Sequence, residues 1–308
     1  MRLCDILRVE LDDGRVLGLD VKGDVSYISH AHSDHVNGRN KKVVLSSDPT
    51  LDISRISYES RASFSNVRLY NAGHMLGATQ AEIIGDDGAM VYTGDISLKD
   101  GFTFKGADIL ESDMLVIEAT YGSQEYQFPE KEDLAEVLRR EVLSRTAYGN
   151  VIFAVYSTGK AQELIKMLNE YCDITPVVSP EIADKSSAYV KHGCSLSYVS
   201  SASDDAPGIF RGNFVGIIPK PKFRPELRTR LMQHYKRPVY FGSLSGWNLK
   251  YPSDYYDISL PMSDHADFND LIDYVDHSNP KSVYVFGAFA ESFSNVLKLR
   301  GHNSYVVR

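Results

Sequence analysis

The chain has 308 residues, 43% of them hydrophobic and 24% charged, with 33 Lys and Arg against 41 Asp and Glu for a net charge of −8. That length buries a large core without staples, and three widely spaced cysteines outside any C-x-x-C pattern (Cys4, Cys172, Cys194) exclude a disulfide scaffold and fit a reducing, cytoplasmic setting. Charges interrupt the apolar residues of the opening MRLCDILRVELDDGR, so no signal peptide or membrane span is expected there or later, and the acidic total argues at first against a nucleic-acid partner.

Residues 1 to about 122 alternate short β-rich runs with turns. Val43-Val44-Leu45, Val67-Arg68-Leu69-Tyr70, Met90-Val91-Tyr92 and Leu115-Val116-Ile117 read as strands, and Gly85-Asp86-Asp87-Gly88 as a turn. From about 131 the period lengthens: Leu134, Val137, Leu138 and Val142 fall at helical spacing. The strand Val151-Ile152-Phe153-Ala154-Val155 then precedes Ala161, Leu164, Ile165 and Leu168 on one helical face. Pro176-Val177-Val178, a helical stretch from Pro180 to His192, and Phe214-Val215-Gly216-Ile217-Ile218 continue the alternation, which predicts a parallel sheet. After Pro261 come a helix (Phe268, Leu271, Ile272, Val275), the strand Ser282 to Phe286 and a last helix through Phe293, Val296 and Leu297. The expectation is a mixed α/β domain interrupted by an α/β insertion.

Three of the nine histidines lie within six residues, in Ile28-Ser29-His30-Ala31-His32-Ser33-Asp34-His35, directly after a predicted strand. Neutral imidazoles and carboxylates are the ligands of a borderline divalent ion such as zinc. Alternation along an extended loop would aim His30 and His32 at one ion and turn Asp34 and His35 toward a second.

This motif, with Asp20 upstream in Gly18-Leu19-Asp20, His74 in Gly73-His74-Met75-Leu76-Gly77 and Asp95 in Tyr92-Thr93-Gly94-Asp95, resembles the metallo-β-lactamase signature. The resemblance implies that His30, His32 and His74 hold the first ion, Asp95 bridges, and Asp34 with His35 begins a second site. Asp20 would fix a ligand tautomer from outside.

Further along, Ile117-Glu118-Ala119-Thr120-Tyr121-Gly122, Gly159-Lys160-Ala161-Gln162-Glu163, Ser245-Gly246-Trp247 and Ser263-Asp264-His265-Ala266-Asp267 follow in an order that resembles the β-CASP nucleases across nearly the whole chain. That likeness implies an αββα sandwich formed by residues 1–122 and 262–308, with a nucleic-acid-binding cassette over 123–261. It implies metal-dependent phosphodiester hydrolysis, with zinc (one or two ions) or manganese, on DNA or RNA. Asp34, Asp95, Glu118 and His265 would be catalytic, Glu118 holding one imidazole nitrogen so that the other faces a leaving oxygen. His265 read alone also fits a capping or surface residue.

Gly159-Lys160 is not a P-loop, since Ala154 stands where the first Gly belongs and Ala161 where Ser or Thr would hold magnesium. The turn is either a plain helix start or a phosphate site. Between Pro219 and Arg237, the cations Lys220, Lys222, Arg224, Arg228, Arg230, Lys236 and Arg237 face one acid, Glu226, with Phe223 and Tyr235 among them. This reads either as a solvated helix face or as a stripe for single-stranded backbone and bases. The candidate substrate-binding residues are Gly159, Lys160, Ser245, Trp247, Lys220, Lys222 and Arg224.

After Phe286 comes Gly287, where RNA-processing β-CASP members place a ligating His. A strong first ion and a weaker or absent second are therefore expected, as in the DNA-directed branch that includes Artemis-like nucleases. The wording at Tyr156 to Gln162 and Ser245 to Trp247 is nearer to exonucleases associated with DNA ligases. A DNA 5′-exonuclease of repair or end processing follows from the resemblance, with an RNA endo- or 5′-exonuclease and a non-catalytic binding subunit as alternatives.

Overall fold

The computed structural model describes residues 2–36, 40–86 and 88–307; Asp87 of the expected 85–88 turn and the Cys4 side chain lie outside the described residues. Contacts divide the chain into two units, Met1–Gln127 with Asp264–Arg308, and Phe128–Ser263. Residues 123–127 thus fall with the first unit, where Tyr126 packs its ring against Tyr121 and Phe289.

Strands Arg2–Asp5, Arg8–Glu10, Val16–Leu19, Val25–Tyr27, Asn40–Leu45 and Ser57–Arg61 (β1–β6, with helix α1, Asp48–Ser54, before β6) lead into Val67–Asn71, Thr79–Gly85, Gly88–Tyr92 and Met114–Glu118 (β7–β10). The second unit alternates helices Lys131–Thr146, Lys160–Cys172, Pro180–Lys191, Ala206–Ile209 and Pro225–Tyr235 (α2–α6) with strands Asn150–Val155, Val177–Val178, Val199–Ser200, Val215–Pro219, Val239–Leu244 and Ile258–Leu260 (β11–β16). The chain returns to the first unit through Phe268–Ser278, Ser282–Phe286, Ala290–Leu299 and Ser304–Val306 (α7, β17, α8, β18).

In the first unit, β1 to β6 form one sheet in chain order and β18-β17-β10-β9-β8-β7 form the other. Each sheet presents alternate apolar residues to its partner. Val9, Leu17, Leu19, Val25 and Tyr27 meet Ala81, Ile83, Met90, Tyr92 and Val116 in one buried cluster. Leu51 seats α1 on Ile28 and Val44 outside the first sheet. Outside the second sheet, α7 and α8 bury Leu271, Val275, Phe293 and Leu297. Tyr274 of α7 donates its hydroxyl to Gln80 of β8, and Ser304 of β18 bonds Ser294 of α8. The αββα sandwich implied by the sequence is the observed architecture.

The second unit is one parallel sheet in the order β13-β12-β14-β11-β15-β16. Its central strand β11 is buried along its whole length, as a strand covered on both faces must be. Gly242 on β15 lies against Phe153, whose ring occupies the space a Cβ would need.

Helix α7 is started by a capping box. Asp267 accepts from Asn269 N at 2.9 Å and Asp270 N at 3.1 Å, and the Asp270 carboxylate returns to Asp267 N. Asp267 fills this role two residues from His265. Asp267→Ala is expected to lower the unfolding free energy by about 1 kcal/mol, measured by urea denaturation of the intact chain.

Candidate metal centre

The chemistry-bearing residues sit in loops that follow strands. The histidine motif follows β4, Asp95 follows β9, Glu118 closes β10, His74 lies in the turn between β7 and β8, and His265 precedes α7. Two of these positions need unusual backbone: Asp20 has φ 52° and His74 φ 59°. Gly94, at φ 56°, lies so close to Ser29 that a Cβ would stand 2.7 Å from that side chain. Such left-handed residues are held only where surrounding contacts over-determine them.

His30, His32, His74 and Asp95 bring one donor atom each to within 4.8 Å of one another. His32 Nδ1 stands 3.0 Å from His30 Nε2 and 3.1 Å from His74 Nε2, and an Asp95 oxygen lies 3.5 Å from His30 Nε2. The outer nitrogens explain the tautomers. His74 Nδ1–H donates to the Asp264 carbonyl at 3.0 Å, and His30 Nδ1–H donates to Ser29 Oγ at 3.0 Å. Ser29 Oγ–H in turn donates to Asp20 at 2.6 Å. Both His30 and His74 therefore aim a lone pair inward, and burial, reinforced by the neighbouring imidazoles, holds their pKa values well below the ordinary histidine range. Converging neutral imidazoles beside a carboxylate fit a divalent cation.

Asp20 receives Ser29 N at 2.8 Å, Ser29 Oγ, the Tyr92 hydroxyl at 3.0 Å and His35 Nδ1 at 2.7 Å. Sequence reasoning missed Ser29 and Tyr92 in this group. Adjacency to the motif pointed to Ser29, but nothing local marks Tyr92, which arrives from another sheet. His35 Nε2 lies 3.5 Å from Asp95. Burial opposes charge on this ring, but Asp95 and Asp20 outweigh it and raise its pKa to about 10.

Glu118 and His265 meet across 147 residues, with His265 Nδ1 at 2.8 and 3.1 Å from the two carboxylate oxygens. Glu118 also accepts from Ile96 N and Thr120 N. Burial works against its charge, yet His265 and these donors hold its carboxyl below the ordinary value. Asp95, buried and beside Glu118, is pushed the other way, to about 6. Asp95, Glu118 and His265 form a second group of close donor atoms.

Other expectations change. Asp34 does not turn into the centre: its side chain is 80% exposed and 3.8 Å from His35, because His35 N and Val36 N both bond back to His32 O and curl the loop into a turn. Gly287 has φ +102°, and a Cβ there would stand 3.1 Å from Ala119 N, tucked against the chain that follows Glu118. No ligand can be built at that position without moving this backbone.

In the second unit, Lys160 is buried and its Nζ donates to the Met262 carbonyl, so it is not displayed at the helix start; Gly159 supplies the turn at φ 77°. Ser245 is buried and caps its own short helix by accepting from Trp247 N, and Trp247 is half-buried. Lys222 pairs with Glu181, and Arg224 bonds the carbonyls of Pro221 and Phe223. Phe223 and Tyr235 are not arrayed for bases: Phe223 packs on Phe241 and Tyr256, Tyr235 on Phe210 and Phe214. They anchor a helix with no fully buried residue to the sheet. Lys220 is exposed, its ammonium over the Tyr156 ring at 5.3 Å.

Two facing sheets with an imidazole–carboxylate centre at their strand ends define a metallo-β-lactamase type of domain. A solved structure of a protein of unknown function from Enterococcus faecalis V583 shares this fold, with a TM-score of 0.59 and 16% identity over 92% of this chain and 79% of that one. No family model matches. A probable DNA ligase of Opitutus terrae is 27% identical over 305 residues, 92% of this chain and 28% of that protein. An RNase J-like protein of Methanocaldococcus jannaschii is 30% identical over 197 residues, 52% of this chain and 47% of that protein. The chain thus spans less than half the length of either relative. With the motif order from His30 to His265, it resembles the β-CASP nucleases of the metallo-β-lactamase superfamily.

Two outcomes test the centre. Cation binding among His30, His32, His74 and Asp95 requires Asp95 ionised. With Asp95 at about 6, affinity measured by calorimetry should rise from pH 5 to pH 8 and protons should be released on binding below the upper end of that range. Gly287→His should lower stability by about 1–3 kcal/mol in thermal unfolding without raising the metal-to-protein ratio in elemental analysis.

Proposed function

We propose that the chain is a zinc-dependent phosphodiesterase that removes nucleotides from the 5′ end of DNA, in repair or end processing. The observation that supports this most is the juxtaposition of the His30, His32, His74 and Asp95 group with the Asp95, Glu118 and His265 group, sharing one carboxylate. A divalent cation supplies Lewis acidity at phosphorus and a nucleophilic water near neutral pH. His30, His32 and His74 offer it neutral nitrogens, Asp95 offsets its charge, and Asp20 keeps His35 oriented. Asp34, exposed at the rim, is left for a weakly held second ion.

Glu118 takes the Nδ1 proton of His265 in a bifurcated hydrogen bond, which fixes the tautomer and steadies the ring when it is charged. The Nε2 proton is then free to pass to the departing 3′ oxygen. The ring is one-fifth exposed, enough to reach a substrate while its inner edge stays dry. The DNA reading is favoured by the match of 92% of the chain to part of a protein named a probable DNA ligase; the match to an RNase J-like protein favours RNA.

Digestion of matched end-labelled DNA and RNA strands, with and without 5′ phosphate, under zinc, manganese or magnesium separates these readings. The expected outcome is release of mononucleotides from 5′-phosphorylated DNA. His265→Ala should lower kcat by about 10²–10⁴-fold while bound metal is retained. Parental turnover in that variant would remove His265 from its role, and turnover of RNA alone would overturn the DNA assignment.

A further inference from the structure

The parallel sheet of the second unit has a topological switch point. From β11 the chain crosses past β14 to β12; from β14 it crosses past β11 to β15. Right-handed crossovers in opposite directions put α3 and α6 on opposite faces of the sheet. The carboxyl ends of β11 and β14 therefore open between diverging connections, which is where parallel α/β sheets bind ligands.

The residues placed there are chemically specific. Val155 and Pro219 are register partners at the ends of β11 and β14, so Tyr156 and Lys220 leave the sheet side by side. Tyr156 is 54% exposed, an unusual place for an aromatic ring directly after a fully buried strand. The Lys220 ammonium lies 5.3 Å from its ring centroid. Tyr156 O accepts Ala161 N, which draws the start of α3 beside the ring. An exposed ring with a cation on its face matches one nucleotide unit: a base for the ring, a phosphate for Lys220. A carboxylate-bearing metabolite would leave the ring without purpose, and an apolar peptide would leave Lys220 unpaired.

We infer that Tyr156 and Lys220 form a stacking subsite for single-stranded nucleic acid at the β11–β14 switch point of the second unit. The inference rests on the nucleic-acid reading above and adds a specific contact to it. Lys220 passes from the ring to a backbone phosphate as a base takes its place on Tyr156.

Binding is measured in EDTA, so that no cleavage occurs, by fluorescence anisotropy of a labelled oligothymidylate on the full chain. Tyr156→Ala should weaken binding about tenfold and Tyr156→Trp should preserve it. Lys220→Ala should make the slope of log affinity against log salt shallower by about 0.7. Because Tyr156 is exposed, the melting curve of each variant checks that the fold is kept. Parental affinity in Tyr156→Ala would overturn the subsite, as would Tyr156-dependent binding of free thymidine monophosphate with none of the oligomer. Tyr156-dependent oligomer binding by a protein that cleaves nothing with metal restored would support the subsite while overturning the hydrolase reading.

Discussion

The buried carboxylate of Asp20 is the constraint from which the centre is built. Donors from two segments reach it: Ser29 N, Ser29 Oγ and His35 from the motif loop, and Tyr92 from β9. A buried anion must be satisfied in this way or it costs several kcal/mol, so the position of Asp20 dictates where the motif loop and β9 can go. The consequence reaches both rings of the motif. His35 is held directly, and His30 is held through Ser29 Oγ, which relays the acceptor to Nδ1 and leaves Nε2 bare. Asp20 adopts a left-handed backbone at φ 52°, a conformation the surrounding hydrogen bonds sustain.

The charges of the centre are divided by direction. On one side burial keeps His30 and His74 neutral, ready to act as ligands. On the other, Glu118 keeps its charge because His265 and two backbone N–H groups face it, while Asp95 is raised because Glu118 is its neighbour. A cation among these groups relieves the repulsion between the carboxylates and gives the inward lone pairs a common partner. The same packing explains the lost third motif. β17 is bonded so closely to the segment after Glu118, with Ala119 N on Phe286 O at 2.6 Å, that a Cβ at Gly287 would crowd it, and the positive φ there favours glycine.

The second unit shows why charge counts along a chain overstate a charged surface. Arg228 is tied to Asp257, Arg237 to Asn213 and Lys222 to Glu181, so much of the apparent stripe is committed to local structure. Phe223 and Tyr235 lie among cations in the sequence but point into the sheet, because residues adjacent along a chain do not share a face. The aromatic that does stay exposed, Tyr156, lies outside that stretch.

The sequence by itself determined the alternation of strands and helices, the parallel insertion and the histidine motif, because each has a local signature, whereas the sandwich and the wider ligand set were legible through resemblance. Period-two runs such as Met90 to Tyr92, helical spacing such as Leu134 to Val142, and a dense histidine motif are all written in neighbouring residues. The pairing of Glu118 with His265 was legible only through likeness, since 147 residues separate them. Tertiary structure alone decided that Asp34 faces solvent, that Lys160 is buried on Met262, that Tyr92 donates to Asp20, and that a side chain at Gly287 would crowd the backbone after Glu118. Each of these depends on which backbone passes within a few ångströms, and that is set by the packing of sheets and loops distant in the chain.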